Sequence, residues 1–217
     1  MSERIKVLLA DDHTIVREGL LSLLCQQRDV TIVGTAENGR EAVDMARSTF
    51  PDVVVMDIAM PQMNGIEATR QLTRLMPKTK VIVLTMYADE EYIVRALQAG
   101  VRGYLLKKAA AAELLQAIRA VERGDFYLSS DISNVVVQRF LSSDAATAES
   151  EPLSDRERQI LQLVAEGNTN RKIASMLGVT LKTVDTYRTR MMTKLGIHDT
   201  PGLVRYAIRK GIVQADQ

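Results

Sequence analysis

The run Val53-Val-Val-Met-Asp57-Ile-Ala-Met-Pro61-Gln-Met-Asn-Gly65 limits what this chain can fold into more than any other stretch. Four apolar residues lead straight into one aspartate. A short, unalternating, Val-rich run suits a strand covered on both faces. Pro61 and Gly65 mark a turn before the next periodic segment. Asp57 is therefore expected at the carboxyl end of a buried strand, the edge where open parallel sheets bind ligands. Alone, such an aspartate more often ends a strand than does chemistry. Other residues tip the balance.

Hydrophobic periodicity over the first 125 residues alternates between strand and helix. Strands are expected at Ile5–Ala10, Val30–Ala36, 53–57, Lys80–Thr85 and Gly103–Leu106. Helices are expected at about 15–26, 40–49, 65–76, 90–99 and 109–123. Five β-then-α units imply a parallel sheet with helices on both faces. The strands share a direction, so Asp11, Asp12, Asp57, Thr85 and Lys107 must gather along one sheet edge. Three carboxylates there repel one another and need a cation. Mg²⁺ suits them, because it takes oxygen ligands and keeps a phosphate oxygen in its shell. An aspartate can attack phosphorus and form an acyl phosphate. Mg²⁺ on Asp12 and Asp57, with Lys107, would neutralise the phosphoryl oxygens. A second acid/base two residues after the nucleophile would instead indicate a phosphohydrolase. Ala59 stands there and cannot serve.

These residues, with Met60-Pro61, Gly65 and Gly103-Tyr104-Leu-Leu-Lys107, resemble the receiver domain of two-component response regulators over roughly residues 4–125. The resemblance implies a flavodoxin-like (βα)5 fold with a five-stranded parallel sheet. It implies that a sensor histidine kinase phosphorylates Asp57. It implies Mg²⁺ (or Mn²⁺) held by Asp12, Asp57 and the Ala59 carbonyl, with Asp11 acting through water. It also implies that Thr85 moves toward the phosphoryl group and Tyr104 turns inward behind it. Two positions depart from the usual pattern. Lys108 stands where many receivers have proline, so no cis bond is expected. Met86 stands where a small residue is usual, and its bulk predicts slow attack by water on the acyl phosphate.

Residues 124–129 break the fifth helix. Ile132, Val135, Val136, Phe140 and Leu141 then recur at helical spacing. Residues 142–152 are small, polar and acidic and read as a flexible linker. The expected division is 1–125, a joint at 126–152 containing one helix, and 153–217. Charge divides the same way. Residues 1–150 carry 17 Lys+Arg against 20 Asp+Glu, and residues 151–217 carry 11 against 7. A basic tail suits an anionic partner.

In that tail, Ser154-Asp-Arg-Glu157 is a capping box. Helices follow to Gly167, from about Asn170 to Gly178, from Thr180 to about Leu195, and across about 201–210. Two short helices joined by a Gly-containing turn are the helix-turn-helix signature. On the third helix Val184, Tyr187, Met191 and Leu195 form one apolar stripe, while Lys182, Thr186 and Thr189 lie opposite. Leu153-Ser-Asp-Arg-Glu157, Asn170-Arg-Lys-Ile-Ala174 and Lys182-Thr-Val184 resemble the LuxR-type helix-turn-helix. The whole chain thus resembles the NarL/FixJ family of response regulators. That implies an all-α, four-helix domain and dimers through its last helix. Double-stranded promoter DNA would be read by Lys182, Asp185, Thr186 and Thr189, and Arg171, Lys172, Arg188 and Lys194 would contact phosphates. The implied control is a population shift: the unphosphorylated receiver masks the DNA-binding or dimer surface, and phosphorylation releases it. The alternative is a phosphorylation-independent DNA-binding regulator that uses its receiver only to dimerise.

No apolar run reaches the roughly 18 residues needed to span a bilayer, so a cytoplasmic protein without a membrane partner is expected. Cys25, the only cysteine, cannot form an internal disulfide and is expected to pack in a helix.

Overall fold

The computed structural model describes residues 4–108, 111–142 and 153–213. The chain divides into two compact units, Met1–Ala145 and Ala146–Gln217. Each is described by itself.

The first unit alternates β1 (Ile5–Ala10), α1 (Thr14–Cys25), β2 (Val30–Ala36), α2 (Gly39–Thr49), β3 (Val53–Met56) and α3 (Gly65–Leu75). It continues with β4 (Lys80–Thr85), α4 (Glu90–Ala99), β5 (Gly103–Leu106) and α5 (Ala111–Glu122). β6 (Tyr127–Leu128) and α6 (Ser130–Ser142) complete it. The sheet order is β2-β1-β3-β4-β5-β6, and every pairing is parallel. Successive side chains go to opposite faces. Leu8, Val54, Met56, Val81 and Val83 share a core with α2, α3 and α4 residues such as Val43, Leu72 and Ile93. Val7, Leu9, Val53, Val55 and Ile82 share the other core with Leu24 of α1 and Leu114 and Ile118 of α5. All four β3 side chains are buried. Burying each contributes about 1.5–3 kcal/mol. A one-residue slip would exchange the two faces and draw Asp57 into the sheet, so its place at the strand end is strongly held.

The sixth strand adds to the five that periodicity predicts. Tyr127 N donates to Arg102 O at 2.9 Å, and Ser129 N donates to Tyr104 O at 3.2 Å. Two residues carry no detectable period, which is why the pattern does not announce this strand. The helix expected after it forms as α6 despite the run Val135-Val-Val137. Ile132 is fully buried in the core shared with α4, and Val135 and Val136 pack against it. That burial outweighs a propensity cost of a few tenths of a kcal/mol per β-branched residue. Residues 143–152, within the expected linker, lie outside the described residues, as do 109 and 110 at the expected start of the fifth helix.

Cys25 corrects an expectation, because it is exposed. The inward stripe of α1 runs through Arg17, Leu20, Leu21 and Leu24. Cys25 follows Leu24 by 100° and falls off that stripe.

The second unit is all helical: α7 (Asp155–Ala165), α8 (Asn170–Leu177), α9 (Leu181–Leu195) and α10 (Thr200–Arg209). Side chains cap each start. Ser154 and Glu157 form the reciprocal capping box, and Thr169, Thr180 and Asp199 cap the other three helices. Gly178 closes α8 at φ +62°, a left-handed turn that a side chain would strain. Ile160, Leu161, Ile173, Val184, Met191, Leu203 and Ala207 build the core. Tyr187 and Leu195 pack at its margin, so the predicted α9 stripe faces inward.

One glycine is fixed by the site it supports. A Cβ on Gly65 would lie 1.9 Å from the Asp57 carbonyl oxygen, and Gly65 N donates to Ile58 O at 2.9 Å. Gly65→Ala is expected to cost about 1–3 kcal/mol by overpacking and to shift Asp57. Urea unfolding measures this, and an unchanged midpoint would show that the turn yields freely.

Candidate functional site: an acidic pocket and a basic helix

The strand ends bring the expected edge residues together. β1 delivers Asp11, whose amide donates to Ala36 O at 3.1 Å, and β3 delivers Asp57, whose amide donates to Ala10 O at 2.8 Å. Lys107 follows β5, and its amide donates to Thr85 O at 2.8 Å at the end of β4. Lys107 Nζ lies 2.6 Å from Asp57 Oδ2 and 2.7 Å from Asp11 Oδ2. The other Asp57 oxygen accepts from Ile58 N at 2.7 Å. His13 Nδ1 stands 2.8 Å from Asp12 Oδ1 and 3.2 Å from Asp11 Oδ1. The Asp pair does not cap α1 with its side chains; His13 occupies the N-cap position and makes no side-chain cap bond.

Burial drives the Asp57 pKa up. The Lys107 charge and its hydrogen bond oppose this, the Asp11 charge reinforces it, and the net direction is upward. Burial disfavours the Lys107 ammonium, but Asp57 and Asp11 outweigh it and raise its pKa. The Thr85 hydroxyl is fully buried and completes no regular hydrogen bond in the structure. It still lies close enough to Asp57 to be among the weaker influences lowering that pKa. Tyr104 is fully buried, points inward and donates to Tyr87 O at 2.9 Å; desolvation raises its pKa. Ala59 is half-buried. Met86 is 70 % exposed.

The donor set fits a hard divalent cation. One ligand atom each from Asp11, Asp12, His13 and Asp57 can be chosen so that all lie within 4.8 Å of one another. Three are carboxylate oxygens, the ligands such ions prefer. Arg17, which carried no signal in the sequence, secures the loop. It is buried, donates to Asp11 O at 2.7 Å and pairs with Glu37 at 2.6 Å.

In the second unit, Lys182, Asp185, Thr186 and Thr189 are all exposed on α9, and Arg171 and Lys172 are exposed on α8. Thr186 and Thr189 return their hydroxyls to the carbonyls of Lys182 and Asp185, at 2.8 and 3.0 Å, which keeps that face low. Asn170 is a bridge that spacing did not reveal. It donates to Asp185 at 2.6 Å and accepts from Arg188 at 2.6 Å, and Arg188 also donates to Thr200 at 2.9 Å. Lys194 is placed differently from the other basic residues. Its Nζ lies 2.6 Å from the carboxylate of Glu157, which is 3 % exposed. Burial raises the Glu157 pKa, but Lys194 and the Ser154 amide and hydroxyl outweigh it and hold the carboxyl below its usual value.

The comparisons agree with this architecture. Residues 7–119 match the response regulator receiver domain, and residues 151–207 match the bacterial regulatory proteins of the luxR family. The oxygen regulatory protein NreC of Staphylococcus aureus strain MRSA252 is 41% identical over 215 residues, covering 96% of this chain and 99% of that protein. A solved structure of RcsB from Salmonella enterica serovar Typhimurium, bound to a promoter in the presence of the phosphomimetic BeF3⁻, aligns with TM-score 0.60 and 27% identity. That alignment covers 94% of this chain and 98% of RcsB. The response regulator ChrA of a heme-sensing two-component system aligns with TM-score 0.54 and 34% identity over 98% of this chain and all of that one. The fold and pocket are those of a signalling switch rather than a catalytic enzyme. The chain belongs to the two-component response regulators of the NarL/FixJ family, with a receiver followed by a LuxR-type helix-turn-helix. Among the described residues, no helix is long and apolar enough to cross a membrane.

Two outcomes follow from these electrostatics. The folded-state pKa of Asp57 is raised, so its contribution to stability is present below the unfolded pKa and is lost as pH rises through the folded one. Asp57→Asn, measured without divalent cations, is expected to raise the melting temperature at pH 8, with the gain closing toward about pH 4. A lower melting temperature at pH 8 would show that attraction to Lys107 outweighs burial. Lys194→Met would strand Glu157 and is expected to cost about 1–2 kcal/mol in chemical unfolding, less than a fully buried pair because Lys194 is half-exposed.

Proposed function

We propose that a sensor histidine kinase phosphorylates this chain on Asp57 and that the phosphorylated form binds promoter DNA as a dimer in the cytoplasm. The observation that carries this reading is the placement of Lys107 Nζ between Asp57 and Asp11 at the sheet edge. We assign residues 1–125 to the phosphoacceptor domain, 126–152 to the joint and 153–217 to the DNA-binding domain.

An Asp57 oxygen attacks the phosphorus of the kinase phosphohistidine. The new P–O bond forms as the P–N bond breaks, and the histidine nitrogen leaves. Lys107, already within hydrogen-bond reach of Asp57, donates to a phosphoryl oxygen. The unpaired Thr85 hydroxyl has a donor to offer the same group, and the buried Tyr104 occupies the space behind it. Asp12, Asp57 and the Ala59 carbonyl would hold Mg²⁺, with Asp11 reaching it through water. The ion supplies neutralisation of charge on the phosphoryl oxygens. The local charge change biases a two-state equilibrium toward a form with the helix-turn-helix available and dimers favoured.

On DNA, Lys182, Asp185, Thr186 and Thr189 read base edges from α9, with Asp185 accepting from a cytosine amino group. Arg171, Lys172 and Arg188 contact phosphates. Lys194 can add to the phosphate field only while it also holds Glu157. The support is the exposed, small-residue face of α9 and the promoter-bound RcsB relative.

Selection from random DNA would supply an operator fragment. With beryllofluoride and Mg²⁺, affinity for that fragment is expected to rise about 5–150-fold, the range of ordinary allosteric coupling. Asp57→Asn is expected not to respond. Equal affinity with and without the mimic would instead favour phosphorylation-independent binding. Lys182→Ala is expected to reduce the salt slope by about one if it touches a phosphate, and to leave it unchanged if it reads only a base.

A further inference from the structure

Asp185 and Arg188 stand three residues apart on α9, a spacing at which opposite charges on a helix commonly pair. Here an amide is set between them instead. Asn170, the first residue of α8, donates its Nδ2 to Asp185 Oδ1 at 2.6 Å and accepts from Arg188 Nη1 on its Oδ1 at 2.6 Å. Only one orientation of the amide satisfies both bonds, because its nitrogen must face the carboxylate and its oxygen the guanidinium. Thr169 caps α8, so Asn170 is not spent on starting the helix. Thr200, the first residue of α10, holds Arg188 from a second side through its Oγ1, at 2.9 Å. Three helices thus fix one polar chain, and Asp185 at its end stays exposed.

We propose that Asn170 is a positioning residue for base readout: it holds the Asp185 carboxylate where it discriminates at one base pair of the operator, without itself touching the base. The inference rests on the reading above, that α9 reads base edges and Asp185 accepts from one of them. The phosphates repel a carboxylate on a DNA-facing helix, which turns away unless something holds it. A direct ion pair with Arg188 would hold Asp185, but it would have to break before either group met DNA. The amide avoids this. It presents a donor to one carboxylate oxygen and leaves the lone pairs of the other to accept from a base, while Arg188 keeps further donors for phosphate. Arg188 also polarises the amide and so strengthens its bond to Asp185. Fixing the carboxylate in advance is what makes it selective. A loose side chain accommodates a wrong base by turning aside, whereas a held one is left facing it unpaired.

The test uses the full chain with beryllofluoride and Mg²⁺, the selected operator fragment and a panel of fragments in which each base pair is changed singly. Asp185→Ala identifies the base pair that Asp185 reads, as the one at which discrimination is lost. Wild type is expected to bind about 5–150-fold more weakly when that pair is changed. Asn170→Ala is expected to lose most of that ratio and to keep discrimination at the other pairs, which a general loosening of the domain would not do. Asn170→Asp keeps the shape and an acceptor for Arg188 but sets a second carboxylate against Asp185, so it is expected to lose the same ratio. In the Asp185→Ala background, Asn170→Ala is expected to change discrimination no further. Circular dichroism checks folding, and Asn170→Asp carries the test if Asn170→Ala does not fold. Discrimination at the wild-type level in either Asn170 variant would overturn the proposal, as would a further loss in the double variant, which would make Asn170 a base contact itself. Those outcomes leave the reading of α9 standing. If Asp185→Ala alters discrimination at no base pair, the assignment of Asp185 to base readout falls, and the proposal falls with it.

Discussion

Everything in the first unit depends on crowding negative charge at one end of a parallel sheet. Asp11 and Asp57 are buried and Asp12 is half-buried beside them. Unpaired buried carboxylates would be too costly to keep ionised. Lys107 offsets two of them directly, and the His13 ring leans on the third. The balance is incomplete, since the Asp57 pKa is still raised. The pocket is thus poised to gain from any group that adds positive charge or spreads the negative charge outward. On the proposed reading a phosphoryl group with its cation would do this, and would also offer the buried Thr85 hydroxyl a partner.

The second unit uses opposite means. Its helices are short, and a helix of 8 residues such as α8 is marginal by itself. Caps at every start and a shared apolar core hold the unit together. One ion pair ties the beginning of α7 to the end of α9, where Lys194 also complements the helix dipole. The outward face of α9 is left with small and charged side chains. Asn170 holds Asp185 and Arg188 in place, so those two polar heads are ordered before any ligand arrives. Preorganisation of this kind lowers the entropy lost on binding.

Legibility from sequence followed the range of the interactions. The buried Val-rich strand, the capping box and the α9 stripe are local patterns, and each was readable. The meeting of Asp57 with Lys107 was also readable, although the residues are 50 apart, because parallel strands must end at the same edge. Contacts without such a rule were not. Lys194 reaches Glu157 across 37 residues, and Asn170 bridges Asp185 and Arg188, through side-chain placement alone. β6 was too short to show a period. Cys25 was misplaced because an apolar stretch at a helix end does not say which residue lies beyond the inward stripe.

The short β6 also bears on how β5 is kept from sticking to other molecules. β5 carries Tyr104 and would otherwise be the last strand of the sheet, with bare amides and carbonyls along its outer side. Unprotected borders of this kind recruit strands from neighbouring chains. Here Tyr127, Leu128 and Ser129 occupy that border, and α6 follows directly behind them. A fragment ending after α5 would therefore lack more than a tether. Its rim would be open beside the buried tyrosine, inviting self-association unrelated to signalling, whereas a fragment extended through Ser142 would keep β5 covered by β6.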